Sequence, residues 1–179
     1  AVAFLINGQS FAVMMATPTD LEDFAVGFLF SERIIASPAD LLELRMIPVV
    51  DGVALNCIVT EAAATTAASR SRTLTGRSGC GLCGTETLGA ALPDLRPVAG
   101  PSPHADQVTA AFGSLAAMQP LNALNHSTHA AAFFSLDGAV ALAREDVGRH
   151  NALDKLGGAM LRQCVDPKAG FIVLSSRMS

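Results

Sequence analysis

The chain has 179 residues, 50% of them hydrophobic and only 16% charged, enough to bury a core of one domain or two small ones and too apolar for overall disorder. Its net charge of -4 argues against a dedicated nucleic-acid binder, which carries a basic face. There is no apolar run of ~20 residues and no basic leader followed by an apolar stretch and a small-residue cleavage site. The chain therefore reads as soluble and cytoplasmic, with no membrane partner. It starts at Ala1 and stops at Ser179, directly after an apolar run with the look of a core strand, and so reads as a fragment.

In chain order, Phe4-Leu5-Ile6 and Phe11-Ala12-Val13 flank Asn7-Gly8, the strongest short hairpin signal, because both turn residues must accept positive φ. Thr19 offers an N-cap oxygen with Glu22 three residues on. Leu21, Phe24, Ala25, Phe28 and Leu29 then follow at helical spacing, predicting an amphipathic helix from there to about Ile35. Ser37-Pro38 suits the start of a second, shorter helix carrying Leu41, Leu42 and Leu44. Asp51-Gly52 marks a hairpin between Met46-Val50 and Val53-Val59. From Glu61 to Thr75 there is no large apolar residue before Leu74, and the segment reads as a mobile loop. Glu86 to Leu92 is expected to form a short helix, and Pro97 to Pro103 a linker. The division falls there: residues 1–100 as an N-terminal α+β part, 101–179 as an α/β part. In the latter, Val108, Phe112, Leu115 and Met118 have helical spacing. Strands at His129-Phe134 and Ala139-Ala143 flank Asp137-Gly138, a helix runs from about Gly148 to Gln163, and Gly170-Leu174 is a final strand, expected to lie parallel to its neighbour through the helix.

Four cysteines, at 57, 80, 83 and 164, are too few and too unevenly placed for a disulfide scaffold, so reduced thiols are the default. Cys80-Gly81-Leu82-Cys83 lies among glycines that let a partner approach closely. Arg77 and a helix start just after Cys83 would favour thiolate over thiol, the form a nucleophile needs. A reactive thiol is one reading. Half of a zinc site is another, with Cys57, Cys164 and four histidines as available ligands, although no second ligand pair is evident. An inert pair is the third, and a thioredoxin-like redox pair fits poorly after so weak a loop.

The second constellation is Arg144-Glu145-Asp146-Val147-Gly148-Arg149-His150-Asn151-Ala152-Leu153-Asp154-Lys155, seven charged or histidine side chains in twelve positions. On a continuous helix, Asp146, His150 and Asp154 would stand at i, i+4 and i+8, with the histidine between two carboxylates and Arg149 on another side. Gly148 in the first turn would open backbone N–H groups toward an anion. The plainer alternative is a solvated helix face laced with ion pairs. His129, in a polar cluster at a strand entrance, and Arg177, at the end of the final strand where α/β sheets place ligands, complete the set.

Together these residues resemble one family, the formate dehydrogenase accessory sulfurtransferases of the FdhD type. The resemblance rests on Asp23-Phe24-Ala25-Val26-Gly27-Phe28-Leu29-Phe30-Ser31-Glu32, Arg77-Ser78-Gly79-Cys80-Gly81-Leu82-Cys83-Gly84, Thr128-His129-Ala130-Ala131-Ala132, the Arg144-Lys155 block and Ser175-Ser176-Arg177, in the family's order. It implies an α/β (α+β overall) fold, with a cytidine-deaminase-like αβα layer preceded by a smaller sheet-containing part. It also implies a sulfurtransferase, usually homodimeric. Such a protein accepts persulfide sulfur from a cysteine desulfurase and passes it to the molybdenum cofactor, bis-molybdopterin guanine dinucleotide, for formate dehydrogenase. Cys80 would carry the persulfide and Cys83 assist, without a permanently bound metal. Arg149, His150, Asn151 and Asp154 would line the cofactor site, with His129 and Arg177 as its neighbours. Relatives continue past the Ser175-Ser176-Arg177 strand with further α/β elements and a glycine-and-basic loop implicated in holding the dinucleotide. The competing expectations are a zinc-binding adaptor and a chaperone that holds the cofactor without sulfur chemistry.

Overall fold

The computed structural model describes residues 1–74, 100 and 102–177. Two sheets and five α-helices make up the described residues. β1 (Val2–Ile6) and β2 (Gln9–Met14) form the expected hairpin, with Asn7 at φ 49° and Gly8 at φ 82°, the left-handed conformations that this turn requires. β3 (Leu41–Val49) and β4 (Gly52–Val59) form the second hairpin, and β4 lies parallel to β1, so the sheet order is β2-β1-β4-β3.

α1 (Leu21–Ser31) runs through the interior. It is not amphipathic: every residue from Asp23 to Leu29 is buried, as befits a helix covered on all sides. It begins and ends differently from expectation. Asp20 at φ 51°, not Thr19, is the N-cap; Thr19 Oγ1 is buried without a hydrogen-bond partner, and Glu22 reaches Arg162 instead of turning back on the cap. The helix stops at Ser31, and Ile34 and Ile35 fold back so that both amides donate to Leu29 O.

Two further expectations are corrected. Ser37-Pro38 opens only a single 3-10 turn, Pro38–Asp40, and Leu41, Leu42 and Leu44 belong to β3, because pairing with β4 beyond the Asp51-Gly52 turn outweighs local helix propensity. The segment expected to be a mobile loop is α2 (Glu61–Leu74). Ala63 and Ala67, one turn apart, are buried against the core formed by Phe4, Phe24, Phe28, Leu29 and Leu55. Alanine is the best helix former, and its small side chain lets a helix seat closely without large apolar residues. The Glu86-Leu92 helix lies outside the described residues, as does most of the Pro97-Pro103 segment.

The second sheet contains β5 (His129–Ser135), β6 (Val140–Asp146) and β7 (Gly170–Leu174) in the order β6-β5-β7. β5 and β6 close on the Asp137-Gly138 turn as expected, with Gly138 at φ 84°. β7, however, pairs antiparallel with β5 rather than parallel to its neighbour. It runs in the direction of β6, with β5 between them. Its faces are covered by two helices. α3 (Ala105–Leu115) supplies Ala111 and Leu115 against Ala130, Ala132 and Phe134. α5 (Arg149–Arg162) supplies Ala152, Leu156 and Met160 against Ala131 and Phe133. The alternation along β5 thus follows the period of two. Between α3 and β5 lies the short α4 (Pro120–Asn125).

α1 and α5 cross at Gly27 and Gly158. A Cβ on Gly27 would come 1.7 Å from Asp154 O, and one on Gly158 would come 1.9 Å from Asp23 O. Both clashes are with backbone, so only glycine permits this approach. It locks the helix that precedes the first sheet's second hairpin onto the helix that covers the second sheet. No helix among the described residues is long and apolar enough to cross a membrane.

Candidate functional site

The start of β5, the ends of β6 and β7 and the first turn of α5 meet at one end of the second sheet. His129 stands across from Asp146 in the β5–β6 ladder. Ser175, just past β7, exchanges hydrogen bonds with Ala130: Ala130 N donates to Ser175 Oγ at 2.8 Å and Ser175 N to Ala130 O at 3.0 Å. Arg177 follows two residues on, exposed. Gly148 is the N-cap of α5, with no side-chain cap bond, and exposed Arg149 and half-buried His150 open the helix. The structure therefore gathers His129, Arg149, His150 and Arg177 around one sheet end. At this rim sit two exposed guanidiniums, of Arg149 and Arg177, and two imidazoles, at the start of a helix.

Beneath the rim the charged block is neither a histidine clasped by two carboxylates nor a solvated face. Asp146 ends β6 instead of entering the helix, so the i, i+4, i+8 arrangement does not form. Its Oδ2 meets Lys155 Nζ at 2.7 Å and accepts from Thr17 N at 2.9 Å. Its Oδ1 accepts from Gly148 N at 2.8 Å and Asn151 Nδ2 at 2.9 Å. Both side chains of the Asp146–Lys155 pair are 0% exposed. Gly148 N–H is thus turned onto Asp146 and is not open to an external anion. Asn151 is also an inward residue, its Nδ2 donating to Met15 O at 2.9 Å as well. Lys155 completes its set with Thr17 O at 2.9 Å. A buried ion pair persists when its remaining donors and acceptors are satisfied in this way.

The neighbouring charges act similarly. Glu145 accepts from Leu121 N and Asn122 N, both at 2.8 Å, at the start of α4, and from Thr128 Oγ1 at 2.9 Å. Arg144 Nη2 meets Asp23 Oδ2 at 2.7 Å, and Asp23 is also bound by Arg162. The sequence pattern alone did not expose this role for Thr17, Met15, Asp23, Arg144, Lys155 and Arg162. Asp23 in the middle of an apolar helical run, paired with the concentration of charge around Arg144, was the available signal.

Asp154 lies half-buried on α5 against α1. Burial pushes its carboxyl up to about 7; a hydrogen bond from Ser31 opposes the shift, and the charges of Glu32 and Asp146 add to it. His150 is held below its ordinary value by burial and then by Arg149. The rim therefore favours a neutral imidazole beside a fixed cation.

Cys80 and Cys83 lie outside the described residues. Of the other two cysteines, Cys57 is fully buried in the first core, and burial pushes its thiol up to about 12. It serves as a core residue and is not an available ligand. Cys164 is exposed just beyond α5. Among the described residues no group of three or more His, Cys, Asp or Glu could hold a metal ion.

Comparisons with known proteins match the same span. The family model described as FdhD/NarQ matches residues 1–179. A sulfur carrier protein FdhD from Bordetella petrii is 44% identical over 99% of this chain and 64% of its own length. One from Cupriavidus necator is 45% identical over 99% of this chain and 62% of its own. A crystal structure described as a formate dehydrogenase accessory protein from Desulfotalea psychrophila superposes with a TM-score of 0.69 at 21% identity, covering 98% of this chain and 64% of that one. The chain thus spans a little under two thirds of the length of these relatives. On the match over its whole length, the chain belongs to the FdhD/NarQ family.

Proposed function

We propose that this chain is the sulfur-handling portion of a sulfurtransferase that serves formate dehydrogenase. The observation that carries the reading is that relatives about 45% identical over 99% of the chain bear the name sulfur carrier protein, in a span that includes Cys80-Gly81-Leu82-Cys83. In the proposed cycle, the Cys80 thiolate attacks the terminal sulfur of a persulfide on a cysteine desulfurase. The desulfurase thiolate leaves and a Cys80 persulfide forms, with Cys83 assisting. The terminal sulfur is then handed to bis-molybdopterin guanine dinucleotide as the acceptor: the S–S bond breaks, Cys80 returns as thiolate, and the sulfur, leaving at the zero oxidation level, becomes sulfide by taking two electrons from the acceptor in its reduced form.

The rim suits the phosphates and guanine of that substrate. Arg149 gives an exposed cation at the start of α5, which is the chemistry phosphate oxygens seek. His129, His150 and Arg177 extend it, with Asn151 and Asp154 behind. The inward Asp146–Lys155 pair holds the first turn of α5 in place beneath these groups. The helix-covered second sheet supports reading residues 101–179 as part of a cytidine-deaminase-like αβα layer, joined to an N-terminal part at 1–100 through the α1–α5 contact. Cytoplasmic localisation and a homodimer belong to the same proposal.

Intact mass spectrometry after incubation with a cysteine desulfurase and cysteine tests it, comparing the wild type with Cys80→Ala and Cys83→Ala. The expected result is a gain of one sulfur that is lost only in Cys80→Ala. Sulfur retained in that variant overturns the assignment of the carrier. No sulfur on the wild type, with stoichiometric zinc lost on changing either cysteine, would turn the reading to a zinc-binding adaptor.

A further inference from the structure

Arg149 and His150 are steadied from outside their own segment. The connector between β2 and α1 supplies the hold through Met15 and Thr17. Thr17 commits its amide, its carbonyl and its hydroxyl oxygen to the charged block. Its N–H donates to Asp146 Oδ2 at 2.9 Å, its Oγ1 accepts from Val147 N at 3.0 Å, and its C=O accepts from Lys155 Nζ at 2.9 Å. Met15 O accepts from Asn151 Nδ2 at 2.9 Å. The four bonds therefore bracket Arg149 and His150, two before them at Asp146 and Val147 and two after them at Asn151 and Lys155.

The local sequence explains how so short a connector reaches four partners. Pro18 follows Thr17, and the residue before a proline is pushed into extended backbone. In extended backbone the N–H and C=O of one residue point to the same side, and those of the residue two positions away point with them. Thr17 N, Thr17 O and Met15 O thus all face the block, while Ala16 between them packs on the first core. Three of the four bonds use backbone atoms of the connector, so any residue at 15 or 17 could make them. Only the Thr17 hydroxyl depends on side-chain identity. It meets Val147, the single residue between the end of β6 and the N-cap of α5, where the chain turns into the helix. Val147 is 46% exposed, so water can replace the hydroxyl as its partner. The bond is therefore cheap to lose for stability, and what it decides is the direction of the turn.

We infer that Thr17 is a positioning residue for the rim: its hydroxyl fixes the turn at Val147 and with it the direction in which Arg149 and His150 leave the start of α5 toward an anionic ligand. This rests on the reading of the rim as a site for the substrate's phosphates and deepens it, by naming a residue outside the charged block that aims the block's exposed groups. Thr17 acts only through the helix start.

Calorimetric titration of guanosine diphosphate tests it on the wild type, Thr17→Val, Thr17→Ser and Cys57→Ala, each well below its melting temperature. Thr17→Val keeps the shape and the backbone bonds of Thr17, so it should fold, and it should weaken binding by roughly fivefold. Thr17→Ser returns the hydroxyl and should return the affinity. Cys57→Ala opens a void in the first core, apart from the Thr17 bonds, and should lower the melting temperature while leaving affinity unchanged. A second readout needs no nucleotide. Burial and Arg149 hold the His150 imidazole below its ordinary value, and its titration, followed by nuclear magnetic resonance, should move up toward that value in Thr17→Val alone. Unchanged affinity or an unmoved His150 in Thr17→Val, no recovery in Thr17→Ser, an equal loss of affinity in Cys57→Ala, or a Thr17→Val chain that does not fold would each overturn the inference. A wild type that does not bind the nucleotide, with the His150 pattern intact, would count only against the phosphate reading of the rim.

Discussion

Two kinds of charged residue alternate along the twelve residues from Arg144 to Lys155, and the chain folds them in opposite directions. Arg144, Glu145, Asp146, Asn151 and Lys155 point inward, where they join β6 and α5 to Thr17, Met15, Asp23 and the start of α4. Arg149 and His150 face the rim. The inner group makes the outer one usable: a helix start that must present a cation and an imidazole at a fixed place is held by a buried pair that brackets it, Asp146 three residues before Arg149 and Lys155 six after. Charge concentration in a sequence of low charge therefore marks two layers, an anchoring one and an exposed one, and mutations should separate them.

The largest effect is expected at the anchor. Lys155→Met leaves the Asp146 carboxylate buried without its cation, a change that typically costs about 3–5 kcal/mol. Asp146 would keep its N–H donors from Thr17, Gly148 and Asn151, which places the expected loss toward the lower end. Urea denaturation at neutral pH measures it. A loss below ~1 kcal/mol would show that the pair is not the anchor and that the two layers are not distinct.

How much of this was legible in the sequence follows from how local each signal is. The turns at Asn7-Gly8, Asp51-Gly52 and Asp137-Gly138 were legible because one or two residues with special φ determine them. The helix from Gly148 was legible because its apolar spacing matches the face it buries. α2 was not, because Ala63 and Ala67 carry no large side chain to announce a core position, and the close approach they allow exists only once β1 and β4 are assembled. Leu41, Leu42 and Leu44 read as helix because their strand partner lies across a turn. At the site, the gathering of His129, Arg149 and His150 could be anticipated from the motif. The inward fate of Asp146 and Lys155 could not, since it depends on where β6 ends and on Thr17, nearly 130 residues earlier.

A smaller effect, readable in pH, is expected at Asp154, which lies between the two layers. Its carboxyl rises from an ordinary 3.8 to about 7, first through burial and then through Glu32 and Asp146, against the Ser31 bond. An acid with a raised folded-state pKa keeps a proton that the unfolded chain has already lost. Stability should therefore fall as pH rises through that window and level off above about 7, a drain of at most a few kcal/mol. Asp154→Asn removes the titration. The variant should match the wild type near pH 4, exceed it at pH 8, and show a flatter profile between. Equal slopes for the two proteins in urea titrations across that range would place the carboxyl in solvent and remove it from the boundary between the layers.

The smallest effect on stability is expected at the rim, where the comparison with the anchor is sharpest within one residue type. Arg144 is held by Asp23 and Ala143 O, so Arg144→Ala should destabilise the fold. Arg149 is exposed at the start of α5, and Arg149→Ala should change stability by less than ~0.5 kcal/mol. If Arg149 meets phosphate, losing one charge-assisted hydrogen-bonding group should weaken binding of guanosine diphosphate by roughly tenfold. Calorimetric titration of that nucleotide against wild type and Arg149→Ala, with thermal melts of both, separates the outcomes. Unchanged melting with weakened binding assigns Arg149 to recognition. Lowered melting with unchanged binding would move it into the anchoring layer with Arg144, and the rim would then have to recognise its substrate through His129, His150 and Arg177 without a fixed cation on the helix.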